Sequence, residues 1–123
     1  MYVCKLHYAL ISIFDRGTRV YKCNFNFLVK NGQIVPYKCD MTNTDEVLAM
    51  FKYIESNPDL GQVDVCICNA GLALGKPLSQ LTPEEMSKMI NLNVIAVSYT
   101  TQLSINLMLK KNVLDGQIIF INR

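Results

Sequence analysis

The chain has 123 residues, half of them hydrophobic and 18% charged, as expected of one globular domain rather than a disordered or fibrous chain. A formal net charge of +2, with Lys and Arg scattered rather than clustered, gives no electrostatic basis for binding nucleic acid. The five cysteines are odd in number and two lie in one apolar run, so they read as free thiols of a reducing, cytoplasmic setting, not as a disulfide framework.

Tyr8–Phe14 is the first apolar run. It falls far short of the roughly 20 residues of a membrane span and lacks the features of a secretory signal. It reads as a strand closed by a turn at Asp15-Arg16-Gly17. Arg19–Val29 alternates, with Tyr21, Cys23, Phe25, Phe27 and Val29 on one face, the period of a half-buried strand. Asn31-Gly32 is a hairpin signal, and Gln33–Tyr37 is the returning strand, limited in its pairing by Pro36. Residues 1–33 therefore read as a divergent, β-rich segment ahead of a body at 34–123.

The pattern changes at Thr42-Asn43-Thr44-Asp45, a helix start with Thr42 as the expected cap. Val47, Leu48, Met50, Phe51 and Ile54 follow at helical spacing, and Asn57-Pro58 ends the helix. Val63–Cys68 is apolar on both faces apart from Asp64, which suits a central parallel strand. Cys66 and Cys68 point the same way from it, into packing. Leu72–Leu81 is a loop. Thr82-Pro83-Glu84-Glu85 begins a long helix that runs to about Lys110 or Lys111. Met86, Met89, Ile90, Asn93, Val94, Val97, Thr101, Ser104 and Met108 share its expected inner face. Asp115-Gly116 breaks it, and Gln117–Asn122 is a last strand. From Ile34 onward the order is β-α-β-α-β, which predicts a parallel sheet with right-handed crossovers.

Three features stand out against this frame. Asn69-Ala70-Gly71 sits at the carboxyl end of a parallel strand, where ligands bind in open α/β sheets, and Gly71 permits a tight turn or close approach. Asp40-Met41 follows the Gln33–Tyr37 strand, with a carboxylate that can only accept when ionised. Asn93 places an amide on an apolar face, where a buried amide needs partners. Alone, each has a plain structural reading: a loop, a helix-start acid, a satisfied core amide.

Together, in this order and on these elements, Asp40, Asn69-Ala70-Gly71 and Asn93 resemble the middle of a short-chain dehydrogenase/reductase, with Cys68 where the family's motif begins with asparagine. The resemblance covers about Ile34–Asn122. It implies a partial Rossmann fold, α/β and doubly wound with a mostly parallel sheet, lacking the N-terminal glycine-loop unit and the C-terminal third. It implies hydride transfer between NADP or NAD and a small alcohol or carbonyl substrate. Asp40 and Met41 would border the adenine, Asn69, Ala70 and Gly71 would line the adenosine side, and Asn93 would serve catalysis by holding a water that relays protons. Ile34-Val35-Pro36-Tyr37-Lys38-Cys39-Asp40 is most similar to an animal branch that includes insect farnesol dehydrogenases, and the preference for NADP rests on that likeness. The resemblance also implies a homo-oligomer through helix 83–110.

The family's reaction needs a serine, a tyrosine and a lysine held together. No tyrosine here is followed four positions later by lysine, and no glycine fingerprint precedes the body. Gly71-Leu72-Ala73-Leu74-Gly75 lacks the third glycine and follows the wrong strand. The sequence therefore predicts a fragment of an oxidoreductase that is inactive by itself. A non-catalytic interaction or dimerisation protein built from the same parts is the alternative.

Overall fold

The structure, a computed structural model, describes residues 2–5, 10–12 and 33–121. The strand expected at Arg19–Val29 and the turns at Asp15-Arg16-Gly17 and Asn31-Gly32 lie outside the described residues. Five strands are described: β1 (Tyr2–Lys5), β2 (Leu10–Ser12), β3 (Gln33–Pro36), β4 (Val65–Cys68) and β5 (Gln117–Phe120). Helices α1 (Thr44–Ser56), α2 (Pro83–Ile90) and α3 (Val97–Lys110) complete the frame, with a π-helical segment at Asn91–Ala96. No described helix is long and apolar enough to cross a membrane.

The parallel sheet has the order β2-β4-β5, with Cys66 paired to Leu10 on one side and Ile118 on the other. Part of the Tyr8–Phe14 run thus becomes a parallel neighbour of the central strand. β3 departs from expectation. It pairs antiparallel with β1, Val35 opposite Val3, instead of joining β4 and β5. Its apolar run suits either partner, and the choice is made by a segment remote in sequence.

Helix α1 buries Val47, Met50, Phe51 and Ile54, the stripe set by their spacing. Its N-cap is Asn43, not Thr42: Asn43 Oδ1 accepts from the amides of Asp45 (3.0 Å) and Glu46 (3.3 Å). Thr42 is diverted, because its amide and hydroxyl both donate to Asp40 Oδ1. Asn57 ends the helix in extended conformation before Pro58. Gly61, with φ of +71°, then donates its amide to Ile54 O at 3.0 Å, a left-handed turn that glycine adopts without penalty.

The second helical region is not one α-helix. Its start is as expected: Thr82 Oγ1 accepts from Glu85 N, and the Glu85 carboxylate accepts from Thr82 N. The π-helical turn at Asn91–Ala96 then adds about one residue to the turn and rotates the faces. The buried side becomes Leu92, Ala96, Thr100, Ser104, Leu107 and Met108. Ile90 and Val94, placed on the inner face by a uniform period, are about half exposed. α3 packs on α1 and on β4, so the core lies between the sheet and these two helices.

Candidate functional site

Strand β4 positions the candidate site. Cys66 and Cys68 are buried beneath it, while Val65 and Ile67 are half-buried on the other face. Beyond Cys68 the chain leaves the sheet: Asn69 and Ala70 are half-buried and Gly71 is exposed. The next ladder bond, Ile121 N to Cys68 O at 3.0 Å, holds the exit of β4 beside the exit of β5. This is the carboxyl edge of a parallel sheet, the place where open α/β folds take ligands.

The loop after Gly71 is tied down by a side chain from the π-helical segment. Leu72 N donates to Asn93 Oδ1 at 2.7 Å, and Asn93 Nδ2 donates to Leu72 O at 2.8 Å. Asn93 is exposed, not inward-facing as a uniform helix predicts, because the π turn rotates Leu92 into the core instead. Its amide is nevertheless satisfied by protein: the donor and acceptor of one carboxamide match the acceptor and donor of one residue. π-helical turns interrupting α-helices are frequent at functional sites.

A second tie anchors the loop nearer α2. Lys76 Nζ lies 2.6 Å from Glu85 Oε1, while the other Glu85 oxygen caps Thr82 N. Lys76, followed by the Thr82 amide, holds the Glu85 carboxyl below its ordinary range. Gly71 has no left-handed backbone, so a tight turn is not its reason for being there. A Cβ built on it would lie 3.6 Å from Asn93 Oδ1, an ordinary contact. What remains is its exposure, which leaves the backbone open to a flat ligand.

Asp40 and Met41 form a separate group at the entry to α1. Asp40 is exposed, and its Oδ1 accepts from Thr42 N at 2.9 Å and Thr42 Oγ1 at 2.8 Å. Asp40 N donates to Glu46 Oε2 at 2.8 Å. The helix-start reading of Asp40 is therefore realised in its hydrogen bonds, and Oδ2 is the oxygen outside that pattern. Met41 is buried in the core, so a ligand would meet its backbone rather than its side chain. Met41, Ala70 and Leu72 border one core cluster, but the hydrogen bonds of Asp40 stay within its own turn.

Beneath the loop, Cys66 Sγ and Cys68 Sγ lie 3.9 Å apart, with Thr101 Oγ1 3.8 Å from Cys68. A hydrogen bond links the two thiols, either of which can donate, and it lowers the Cys68 thiol to about 7 against the opposing effect of burial. The same hydrogen bond and burial push Cys66 up. The sequence placed both thiols on one face, and they are buried as expected. Leu72 and Lys76 were not singled out: Leu72 acts through its backbone, which no residue type reveals, while Lys76 carried a charge but no motif.

Known proteins resemble this chain in family and fold. A family model described as short chain dehydrogenase matches residues 9–122. Dehydrogenase/reductase SDR family member 11 of Gallus gallus is 47% identical over 92 residues, covering 74% of this chain and 35% of the relative. The human protein of that name is 41% identical over 91 residues, covering 74% of this chain and 34% of the relative. This chain thus spans about a third of the length of the curated relatives it matches. Among solved structures, a short-chain type dehydrogenase/reductase from Mycobacterium marinum superposes with a TM-score of 0.63 at 30% identity, covering 70% of this chain and 33% of that one. A metagenomic short-chain oxidoreductase in complex with NADP gives 0.61 at 26% identity, covering 70% of this chain and 38% of that one.

Proposed function

The chain belongs to the short-chain dehydrogenase family, and from that premise we propose that it is the central part of an NAD(P)-dependent oxidoreductase acting on small alcohols or carbonyls. The observation that carries this reading is the double hydrogen bond from Asn93 to Leu72, which fixes the loop after Asn69-Ala70-Gly71 at the carboxyl edge of the sheet. The exposed Gly71 backbone and the half-exposed Asn69 and Ala70 fit a flat adenosine group there. The nicotinamide dinucleotide, when bound, carries the hydride that such an enzyme exchanges with a carbon centre. NADP is the preferred form, in keeping with the solved relative that holds NADP.

Asp40 would accept from the adenine amino group, its Oδ1 already serving Thr42. Met41 contributes backbone, and Asn69, Ala70 and Gly71 line the adenosine. Asn93 positions the loop, and the second lone pair of its Oδ1 is the group it has left to hold a relay water. The 123 residues by themselves carry no Tyr-x3-Lys and do not turn substrate over. The buried free thiols Cys39, Cys66 and Cys68 support a reducing, cytoplasmic setting.

The test has two arms on the purified chain. Incubation with NADPH and a panel of small aldehydes and ketones should leave the cofactor unconsumed; measurable reduction overturns the claim of inactivity. Millimolar NADP(H) should raise the melting temperature, because a ligand that binds the native state stabilises it. No shift with NADP(H) or NAD(H) overturns the proposed site.

A second reading is favoured by one feature. Ile90, Val94, Ile105 and Leu109 are exposed along a helical region whose run Met89–Leu109 contains no charged residue. A homo-oligomer formed through helix 83–110, or a non-catalytic interaction protein, would cover that face. A folded chain that sediments as a monomer at all concentrations counts against it.

A further inference from the structure

The cofactor reading makes no use of the thiol pair under the loop. Cys66 and Cys68 are i and i+2 on one strand, so both side chains leave the same face of β4. Their sulfurs lie 3.9 Å apart in the interior, and Thr101 Oγ1 is 3.8 Å from Cys68. Cys66 is fully enclosed, whereas Cys68 keeps 7% exposure at the end of the strand, next to Asn69. A hydrogen bond joins the two thiols and either can donate it, so the thiol with access has its neighbour's S–H within reach. Cys39, the other thiol in the described core, has no comparable partner and is pushed up to about 11, first by burial and then by Glu46.

We propose that Cys66 and Cys68 form a redox-active dithiol that hydroperoxides convert to an intrastrand disulfide, bending the end of β4 that carries Asn69-Ala70-Gly71. In the first step the Cys68 thiolate sulfur attacks an oxygen of the hydroperoxide. An S–O bond forms, the O–O bond breaks, and an alcohol leaves with the thiol proton. In the second step the Cys66 sulfur attacks the Cys68 sulfenic sulfur. The S–S bond forms, the S–O bond breaks, and water leaves with the Cys66 proton. Two thiols lose two electrons together, and one hydroperoxide becomes one alcohol and one water. A dithiol reductant reverses the change by thiol–disulfide exchange.

Closing the bond draws the sulfurs from 3.9 Å to roughly 2.05 Å. Extended strand geometry does not allow this unless the backbone puckers at Ile67, which is paired to Ile11 on one side and Ile119 on the other. The disulfide therefore costs ladder hydrogen bonds, and its very short loop returns little chain entropy. The loop held by Asn93 begins one residue beyond Gly71, so strain in β4 reaches it directly.

The test is peptide mapping of the 123-residue chain after treatment with tert-butyl hydroperoxide. We expect the peptide holding Cys66 and Cys68 to lose the mass of two hydrogens, to recover it with dithiothreitol, and the oxidised chain to melt a few degrees lower. Cys66→Ser should instead accumulate a dimedone-reactive sulfenic acid at Cys68. Wild-type protein, whose folding no substitution disturbs, is also labelled with limiting iodoacetamide at pH 7, where Cys68 should react ahead of Cys39. Oxidation confined to other cysteines, or a Cys68 that reacts no faster than Cys39 in the folded chain, overturns the proposal.

Discussion

Asn93 grips both backbone groups of Leu72 across 21 positions of sequence, accepting from its N–H at 2.7 Å and donating to its carbonyl at 2.8 Å. The pair closes the loop that follows β4 onto the π-helical turn. Both bonds are exposed, so their net worth is that of ordinary hydrogen bonds, about 1 kcal/mol each. Asn93→Ala should destabilise the chain by about 1–2 kcal/mol in urea unfolding and speed amide exchange at Leu72. Asn93→Asp keeps the acceptor for Leu72 N but sets a carboxylate against Leu72 O, so it should do no better than alanine. A wild-type exchange rate at Leu72 in Asn93→Ala would show that the loop is held by something else.

Gly116 packs under Met108. A Cβ at position 116 would come within 2.8 Å of Met108 Sδ and 3.3 Å of its Cγ. Gly116→Ala should therefore displace a buried methionine at a cost of about 1–2 kcal/mol, within the usual range for overpacking. Met108→Ala alone should also destabilise, by leaving a cavity. The double variant should be markedly less unstable than the sum, because the alanine at 116 meets no sulfur there. Additive losses in urea unfolding would contradict the contact.

Thr100 Oγ1 is buried and has no hydrogen-bond partner among the described residues. Its carbonyl is used by the Ser104 hydroxyl, at 2.8 Å, but its own hydroxyl is not. An unsatisfied buried polar group costs about 1–3 kcal/mol. Thr100→Val removes the hydroxyl and nearly keeps the shape, so it should leave stability unchanged or raise it by about 1 kcal/mol. A loss of that size in thermal or urea unfolding would reveal a partner for the hydroxyl.

The thiols set a pH dependence with two limbs. Cys68 falls to about 7 in the folded chain, through its hydrogen bond with Cys66, opposed by burial and helped by its contact with Thr101, against 9.0 for a free thiol. A depressed group stabilises the fold above its unfolded value, and that contribution is lost as pH falls through 7. Cys39, raised to about 11, does the opposite: its contribution is whole below 9 and lost as pH rises through 11. Cys66, pushed up by its bond to Cys68 and by burial, acts in the same sense as Cys39. Under reducing conditions, urea midpoints should rise from pH 7 to 9 and fall from 9 to 11. Cys68→Ser should flatten the rising limb; an unchanged rise in that variant would contradict the assignment.

Much of this architecture is legible in the residues. Val47, Met50, Phe51 and Ile54 announce the buried side of α1, and Thr82-Pro83-Glu84-Glu85 announces the start of α2. Where structure and sequence differ, the choice lies between near-equal local options. Thr42 and Asn43 can both cap a helix, and Asp40 decides by taking the hydrogen bonds of Thr42. The π turn leaves no mark in a spacing of apolar residues, so a uniform period draws the inner face through Ile90 and Val94 rather than Leu92. The partner of β3 lies some thirty residues away in β1, beyond any local signal. At the site, Asn93 was conspicuous as an amide among apolar residues, but its partner was invisible because Leu72 contributes only backbone.

The most direct test of the account is an amide NMR titration of the 123-residue chain with NADP⁺ and with NAD⁺. The account predicts that millimolar dinucleotide shifts the resonances of Asp40, Met41 and Asn69 through Leu72, more strongly with NADP⁺, and that Asn93→Ala weakens those shifts. Resonances that stay still at both stretches, or that move only elsewhere in the chain, would contradict it.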